Sequence, residues 1–196
     1  MSEPRVAIVG ATGAVGTTML EILTERGMSI ADLRLLASSR SAGRVVPTKW
    51  GDIEIEDLAT ADPAGVDIAL FSAGGARSKE YAPRFAAAGA VVVDNSSAFR
   101  MDDAVPLVVA QVNDHAVGNH QGIIANPNCT TMTVMMAAGP LHRAAGLERM
   151  TATSYQSVSG SGQTGMDVLA HEIDVLGKVR ELLARGGWSE PGSELY

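Results

Sequence analysis

Arg5-Val-Ala-Ile-Val9-Gly10-Ala-Thr-Gly13-Ala-Val-Gly16 is the stretch whose reading decides the fold. A short apolar run enters a turn with glycine at every third position. Beyond the turn, Val15, Met19, Leu20, Ile22 and Leu23 recur at the spacing of one helical face, which predicts a helix over residues 14–26. Strand, glycine turn and helix in that order place the unpaired N–H groups of a first helical turn, and the positive end of its dipole, just beyond the strand. A pyrophosphate fits there against the backbone, so Gly10, Thr12, Gly13, Ala14, Val15 and Gly16 are the predicted cradle. A glycine triplet alone also suits a purely steric turn; the strand before it and the helix after it favour a nucleotide.

Outward from this unit the rhythm repeats. Residues 33–37 read as a second strand, with short extended pieces at 45–46 and 53–55 around the turn Trp50-Gly51-Asp52. Residues 66–71 are nearly all apolar, as a parallel strand covered on both faces is. Gly74 and Gly75 lead into a helix over 78–88 that stops at Gly89, and residues 90–93 form the next strand. Further strands are predicted at 108–112 and 122–125, then a helix over 130–138 cut short by Gly139-Pro140. After Arg149 the texture changes: residues 150–158 alternate polar and apolar, predicting a strand with one wet face, before a glycine-rich loop and a helix over 164–185. The expectation is an α/β fold: a doubly wound, Rossmann-type parallel sheet over residues 1–130, then the start of a second, α+β domain over 131–196. The tail from Gly186 has no capping stop, so the chain is expected to end within that second domain.

Composition narrows the partners. At 196 residues and 46% hydrophobic, the chain can bury at least one full core. A net charge of -7 with no Lys/Arg cluster argues against a nucleic-acid partner and for a small molecule. No apolar run approaches the roughly 20 residues of a membrane span. The start Met1-Ser-Glu-Pro4 lacks a basic leader region, so a cytoplasmic location is expected. His115 and His120 with Asp114 lack a third spaced ligand, and no metal is expected. The single cysteine, Cys129, cannot form an internal disulfide, which leaves its thiol available.

Two further segments carry chemistry. A site for NAD would show Asp or Glu at the end of the second strand to hold the ribose; here stand Ser38, Ser39, Arg40 and Ser41. Ser38, Arg40 and Ser41 suit a 2′-phosphate, and hence NADP, although such residues also serve in solvated turns. Cys129 lies in Ala125-Asn-Pro-Asn-Cys-Thr-Thr131. Free cysteines are most often inert core residues. Here Asn-Pro ends a strand and a helix follows, so the sulfur falls at a helix N-terminus, where partial positive charge favours thiolate. The Asn128 amide and adjacent N–H groups are placed to stabilise an oxyanion.

On these residues, and on Ala37-Ser-Ser-Arg-Ser-Ala-Gly43, Phe71-Ser-Ala-Gly-Gly75, Val93-Asp-Asn-Ser-Ser-Ala-Phe-Arg100 and Ser154-Tyr-Gln-Ser-Val-Ser-Gly-Ser-Gly162, the sequence resembles the aspartate-semialdehyde dehydrogenase family. The resemblance implies reduction of aspartyl phosphate to aspartate semialdehyde with NADPH, in lysine (diaminopimelate), methionine and threonine biosynthesis, by a homodimer or homotetramer. It implies that Cys129 is the acyl-accepting nucleophile, that Gln156 orients the substrate, and that Arg100 and Asn95 meet substrate or its phosphate. Asn95 and the loop Ser72, Ala73, Gly74 and Gly75 would also lie near the nicotinamide of the cofactor, with Ser159 and Gly160 closing the site. N-acetyl-γ-glutamyl-phosphate reductase is the competing enzyme reading, but that family has Asn-Pro-Gly-Cys followed by Tyr. A non-catalytic NADP-binding sensor is the alternative outside enzymes, and such a sensor needs no activated thiol. The family's acid/base histidine and carboxylate-binding arginine lie in motifs that this sequence does not contain. His115, His120, His142 and His171 fall outside that context and read as surface or capping residues, so the chain alone is expected to be inactive.

Overall fold

The structure is a computed structural model that describes residues 3–184. The chain divides into two compact units, Met1–Ala152 and Thr153–Tyr196.

The first unit is built on β1 (Arg5–Val9), which lies parallel between β2 (Asp32–Ala37) and β5 (Ile68–Phe71). β6 (Val91–Asp94) and β7 (Ile123–Ala125) continue the parallel sheet on one side. On the other side β4 (Gly51–Asp57) pairs parallel with β2 and carries the antiparallel edge strand β3 (Val45–Thr48). The order β3-β4-β2-β1-β5-β6-β7 reverses direction at β1, as a doubly wound sheet requires. The expected α/β class and Rossmann-type sheet are observed.

Alternation along β1 explains the layers. Ala7 and Val9 join the buried cluster that includes Phe71, Ala82 and Phe85, whereas Val6 and Ile8 join the one that includes Leu23, Leu33 and Ile55. The helix α1 (Ala14–Glu25) covers the second face through Leu23, with Met19 and Leu20 packed beside it. Val15 and Ile22, assigned to the same apolar face, are instead 45% and 40% exposed. The helix α2 (Gly75–Ala87) covers the first face with Ser78, Ala82 and Phe85, and Phe85 meets Phe71 edge-to-face at 5.3 Å.

Three expectations require correction. The predicted strand at 108–112 is reduced to one bridge, Leu107 to Ala125. The Asn113 side chain accepts from Val109 N (2.7 Å) and donates to the Leu107 carbonyl (3.0 Å), capturing groups that a ladder would use. Gln111 then turns the chain with a φ of 65°. The helix predicted to stop at Gly139-Pro140 runs on: α3 spans Cys129–Ala145. Gly139 is buried so closely against Val112 that a Cβ would come within 3.2 Å of its Cγ1, and Arg143 donates to the Val112 carbonyl at 3.3 Å. That packing holds the helix together across the proline. Finally, the strand predicted at 150–158 is absent: residues 147–157 have no regular structure and a 3-10 turn occupies Val158–Ser161. Among the described residues no strand pairs with this segment, and alternation without a partner ladder cannot hold a strand. α4 follows from Gly162 to Ala184.

Candidate active site

All the parallel strands point their carboxyl ends the same way, and the first residue of four loops extends the ladder by one hydrogen bond. Gly10 N donates to the Leu36 carbonyl (2.8 Å), Ser72 N to Val9 (2.8 Å), Asn95 N to Phe71 (2.9 Å) and Asn126 N to Asp94 (2.9 Å). The sheet therefore sets the starting point of four of the loops that carry predicted site residues in this unit.

The glycine turn is dictated sterically. Gly10 has a φ of 89°, and a Cβ there would collide with the Ser72 carbonyl; a Cβ on Gly16 would collide with the Gly10 carbonyl. Gly13 N closes the turn on Gly10 O at 3.0 Å, and Thr17 N, bonded to Gly13 O at 2.9 Å, opens the helical ladder. That leaves the N–H groups of Ala14, Val15 and Gly16 without an intrahelical acceptor. No side chain caps them and no acidic residue lies in the first turn. An uncapped first turn against a close-packed glycine loop fits a dinucleotide pyrophosphate.

At the end of β2, Ser38 and Ser41 are half-buried and Arg40 is exposed. Thr12 Oγ1 and Ser41 Oγ lie 3.5 Å apart, joining this turn to the glycine loop. Among the described residues nothing pairs with the Arg40 guanidinium.

Asn126-Pro127-Asn128 leads from β7 into α3, and Cys129 is the first residue of that helix, free and exposed. Asn128 is the N-cap: its Oδ1 accepts from Thr131 N at 2.7 Å. Among the described residues the Asn128 side-chain nitrogen and the Cys129 backbone N–H have no hydrogen-bond acceptor. Arg100 is half-buried, and its Nε donates to the Asn126 carbonyl (2.7 Å) while Nη2 donates to the Asn95 carbonyl (3.1 Å). One arginine thus ties the loop after β6 to the loop that delivers the cysteine, and its Nη1 has no partner among the described residues.

Asp94, the last residue of β6, is fully buried. Its Oδ1 accepts from Ser78 Oγ (2.7 Å) and Ser96 N (3.2 Å), and its Oδ2 accepts from Ser96 Oγ (2.7 Å). Sequence reasoning did not single out Asp94 or Ser78. They lie 16 residues apart, one in α2 and the other at the end of β6, so no local spacing reports the pair.

Gln156, Ser159 and Gly160 belong to the second unit. There the hydroxyls of Ser157 and Ser159 lie 2.9 Å apart, and a Cβ on Gly160 would collide with the Gln156 amide. His120 Nδ1 accepts from Gly122 N and His142 Nδ1 accepts from Leu147 N, each at 3.0 Å, so both serve as turn or cap residues.

Residues 5–120 match the family described as semialdehyde dehydrogenase, NAD binding domain. The chain belongs to that family. It is 52% identical over 193 residues to an aspartate-semialdehyde dehydrogenase of Streptomyces akiyoshiensis, covering 96% of this chain and 56% of the relative. It is likewise 52% identical over 179 residues to that of Corynebacterium glutamicum, covering 88% and 51%. The crystal structure of aspartate semialdehyde dehydrogenase II from Vibrio cholerae superposes with a TM-score of 0.82 at 43% identity, over 98% of this chain and 56% of that one. A second structure of that enzyme, complexed with ASA, gives 0.73 at 47% identity, over 76% and 49%. The chain spans about half the length of the curated relatives it matches. Among the described residues no helix is long and apolar enough to cross a membrane.

Proposed function

We propose that the chain carries the cofactor crevice and the nucleophile of an NADP-dependent aspartate-semialdehyde dehydrogenase that converts L-aspartyl 4-phosphate to L-aspartate 4-semialdehyde. The observation that carries this reading is Cys129, exposed at the start of α3, at the same end of the sheet as the uncapped first turn of α1. Identity of about half to relatives of that name supports the substrate. The reading brings with it a cytoplasmic enzyme of lysine, methionine and threonine biosynthesis that works as a homodimer or homotetramer.

The pyrophosphate would rest on Ala14, Val15 and Gly16 N–H groups, and Ser38, Arg40 and Ser41 would hold a 2′-phosphate. When bound, the nicotinamide supplies the hydride chemistry. The protein does the rest. The Cys129 thiolate attacks the acyl carbon of the acyl phosphate, forming a C–S bond, and phosphate leaves with the electron pair of the C–O bond. Cys129 N–H and the Asn128 amide nitrogen, from the first turn of α3 and its N-cap, would receive the developing oxyanion. The open Nη1 of Arg100 offers a donor to the departing phosphate. Motif resemblance assigns Gln156 to substrate orientation, and Ser159 and Gly160 to the cofactor.

The test is NADPH formation from aspartate semialdehyde, phosphate and NADP by an enzyme carrying this sequence. Activity should require phosphate, exceed that with N-acetylglutamate semialdehyde, and fall at least about a thousandfold in Cys129→Ser, with NADP affinity retained. Turnover by the serine variant would contradict the thioester route.

A further inference from the structure

Asp94 has no part in the chemistry above, yet it is a fully buried carboxylate at the carboxyl end of a site strand. Every group it touches donates to it: Ser78 Oγ, Ser96 N and Ser96 Oγ. Ser78 is itself fully buried, and its backbone N–H closes the first turn of α2 on the Gly74 carbonyl at 3.0 Å. Gly74 holds a φ of 87° as the N-cap of a helix that no side chain caps. On the other arm, Ser96 Oγ accepts from Ala98 N at 3.0 Å. The loops joined in this way also touch: a Cβ on Gly75 would lie 3.5 Å from Ser97 Oγ.

We propose that Asp94 is a positioning residue that locks the loop opening α2 against the loop after β6, so that together they hold the nicotinamide half of the dinucleotide. The proposal rests on the dinucleotide reading of the crevice. In a doubly wound sheet the two halves of a dinucleotide straddle the point where strand order reverses. The β2 side carries the 2′-phosphate residues, which leaves the β5 and β6 side for nicotinamide. A buried carboxylate spanning two loops suits this task, because its two oxygens accept three hydrogen bonds, one from α2 and two from the loop after β6. A purely structural role would stabilise the unit without distinguishing one half of the ligand from the other.

The experiment compares two probes on the full chain: NADPH, followed by its fluorescence, and adenosine 2′,5′-bisphosphate, which lacks the nicotinamide half. Asp94→Asn keeps the shape and alters the acceptor pattern; Ser78→Ala removes a single hydroxyl and guards against a failure of the first variant to fold. Both are measured where circular dichroism shows them folded. Each should weaken NADPH about tenfold, the scale of one hydrogen bond to a charged group, and the bisphosphate by less than about twofold. Equal weakening of both probes, or no weakening of NADPH, overturns the positioning role. Failure of the unmodified chain to bind either probe overturns the dinucleotide reading and this proposal with it.

Discussion

The two ends of the central sheet treat their polar groups in opposite ways. At the amino end, Arg5 and Asp67 close on each other: the Arg5 backbone N and Nε bond Asp67 Oδ2 at 2.8 and 3.0 Å, Nη2 bonds Oδ1 at 2.9 Å, and Asp67 N returns to Arg5 O at 2.9 Å. At the carboxyl end, α1 begins with no cap, Arg40 has no partner among the described residues, and Cys129 stands exposed. Satisfied groups hold the sheet; the unsatisfied ones are those to which the proposed function assigns the ligand. Even within the open end there is a division. α3 supplies its own capping oxygen from Asn128, whereas α1 supplies none. On the proposed reading, one helix steadies a thiol and the other receives an anion from outside.

The largest effect that would break this comparison lies in the glycine turn. Gly10→Ala should destabilise the chain by about 3 kcal/mol and remove dinucleotide binding, because the new Cβ meets the Ser72 carbonyl at a positive φ. Gly74→Ala, at a similar φ but with open space around it, should cost less, about 1–2 kcal/mol of backbone strain alone. Urea unfolding of the two variants checks the contrast, and equal costs would mean that close packing does not set the turn.

A smaller effect is expected at the capped helix. Asn128→Ala should lower stability by about 1 kcal/mol, and Asn128→Asp should restore most of it, since either oxygen can accept from Thr131 N. Thermal unfolding of both variants measures this. A neutral alanine variant would place the thiol in a helix that does not depend on its cap.

The turn and the first strand-helix unit are legible in sequence because their periodicity is local. So is the cysteine's place at the head of a helix, which the residues Asn-Pro-Asn announce. Much of what escapes is set by groups distant in the chain: nothing near Gly139-Pro140 says that Val112 will brace the helix across them. At 108–112 the cause is local, since the neighbouring Asn113 takes the ladder's hydrogen bonds, but a reading of apolar runs does not register a side-chain amide. The alternation at 150–158 looks like a strand, but a strand exists only with a neighbour. The Asp94 network is hidden for the same reason: its two serines come from different elements.

The closed end should show the smallest effect, and it depends on pH. Hydrogen bonds from the Arg5 side chain, and then from its backbone, hold Asp67 down from the usual 3.8 to about 2. A depressed carboxylate contributes stability that is fully present above its unfolded value and is lost as pH falls through the folded one. The Asp67 contribution should therefore persist at pH 4 and fade toward pH 2. The pair is exposed, so the change in stability should be slight, and the cleaner readout is NMR titration of Asp67. In Arg5→Gln, which keeps the backbone N–H on Asp67, the carboxylate should titrate part of the way back toward its ordinary value; an unchanged titration would show that the guanidinium is not what holds it down.

The open end carries the central claim, that its unpaired donors await NADP, and one titration tests it directly. Binding of NADP and of NAD to the unmodified chain and to Arg40→Glu is measured by calorimetry. The account predicts that NADP binds the unmodified chain more tightly than NAD, and that the glutamate, placing an acid where a 2′-phosphate would sit, erases or reverses the preference. Equal affinity of the unmodified chain for the two dinucleotides, or a preference that survives Arg40→Glu, would contradict it.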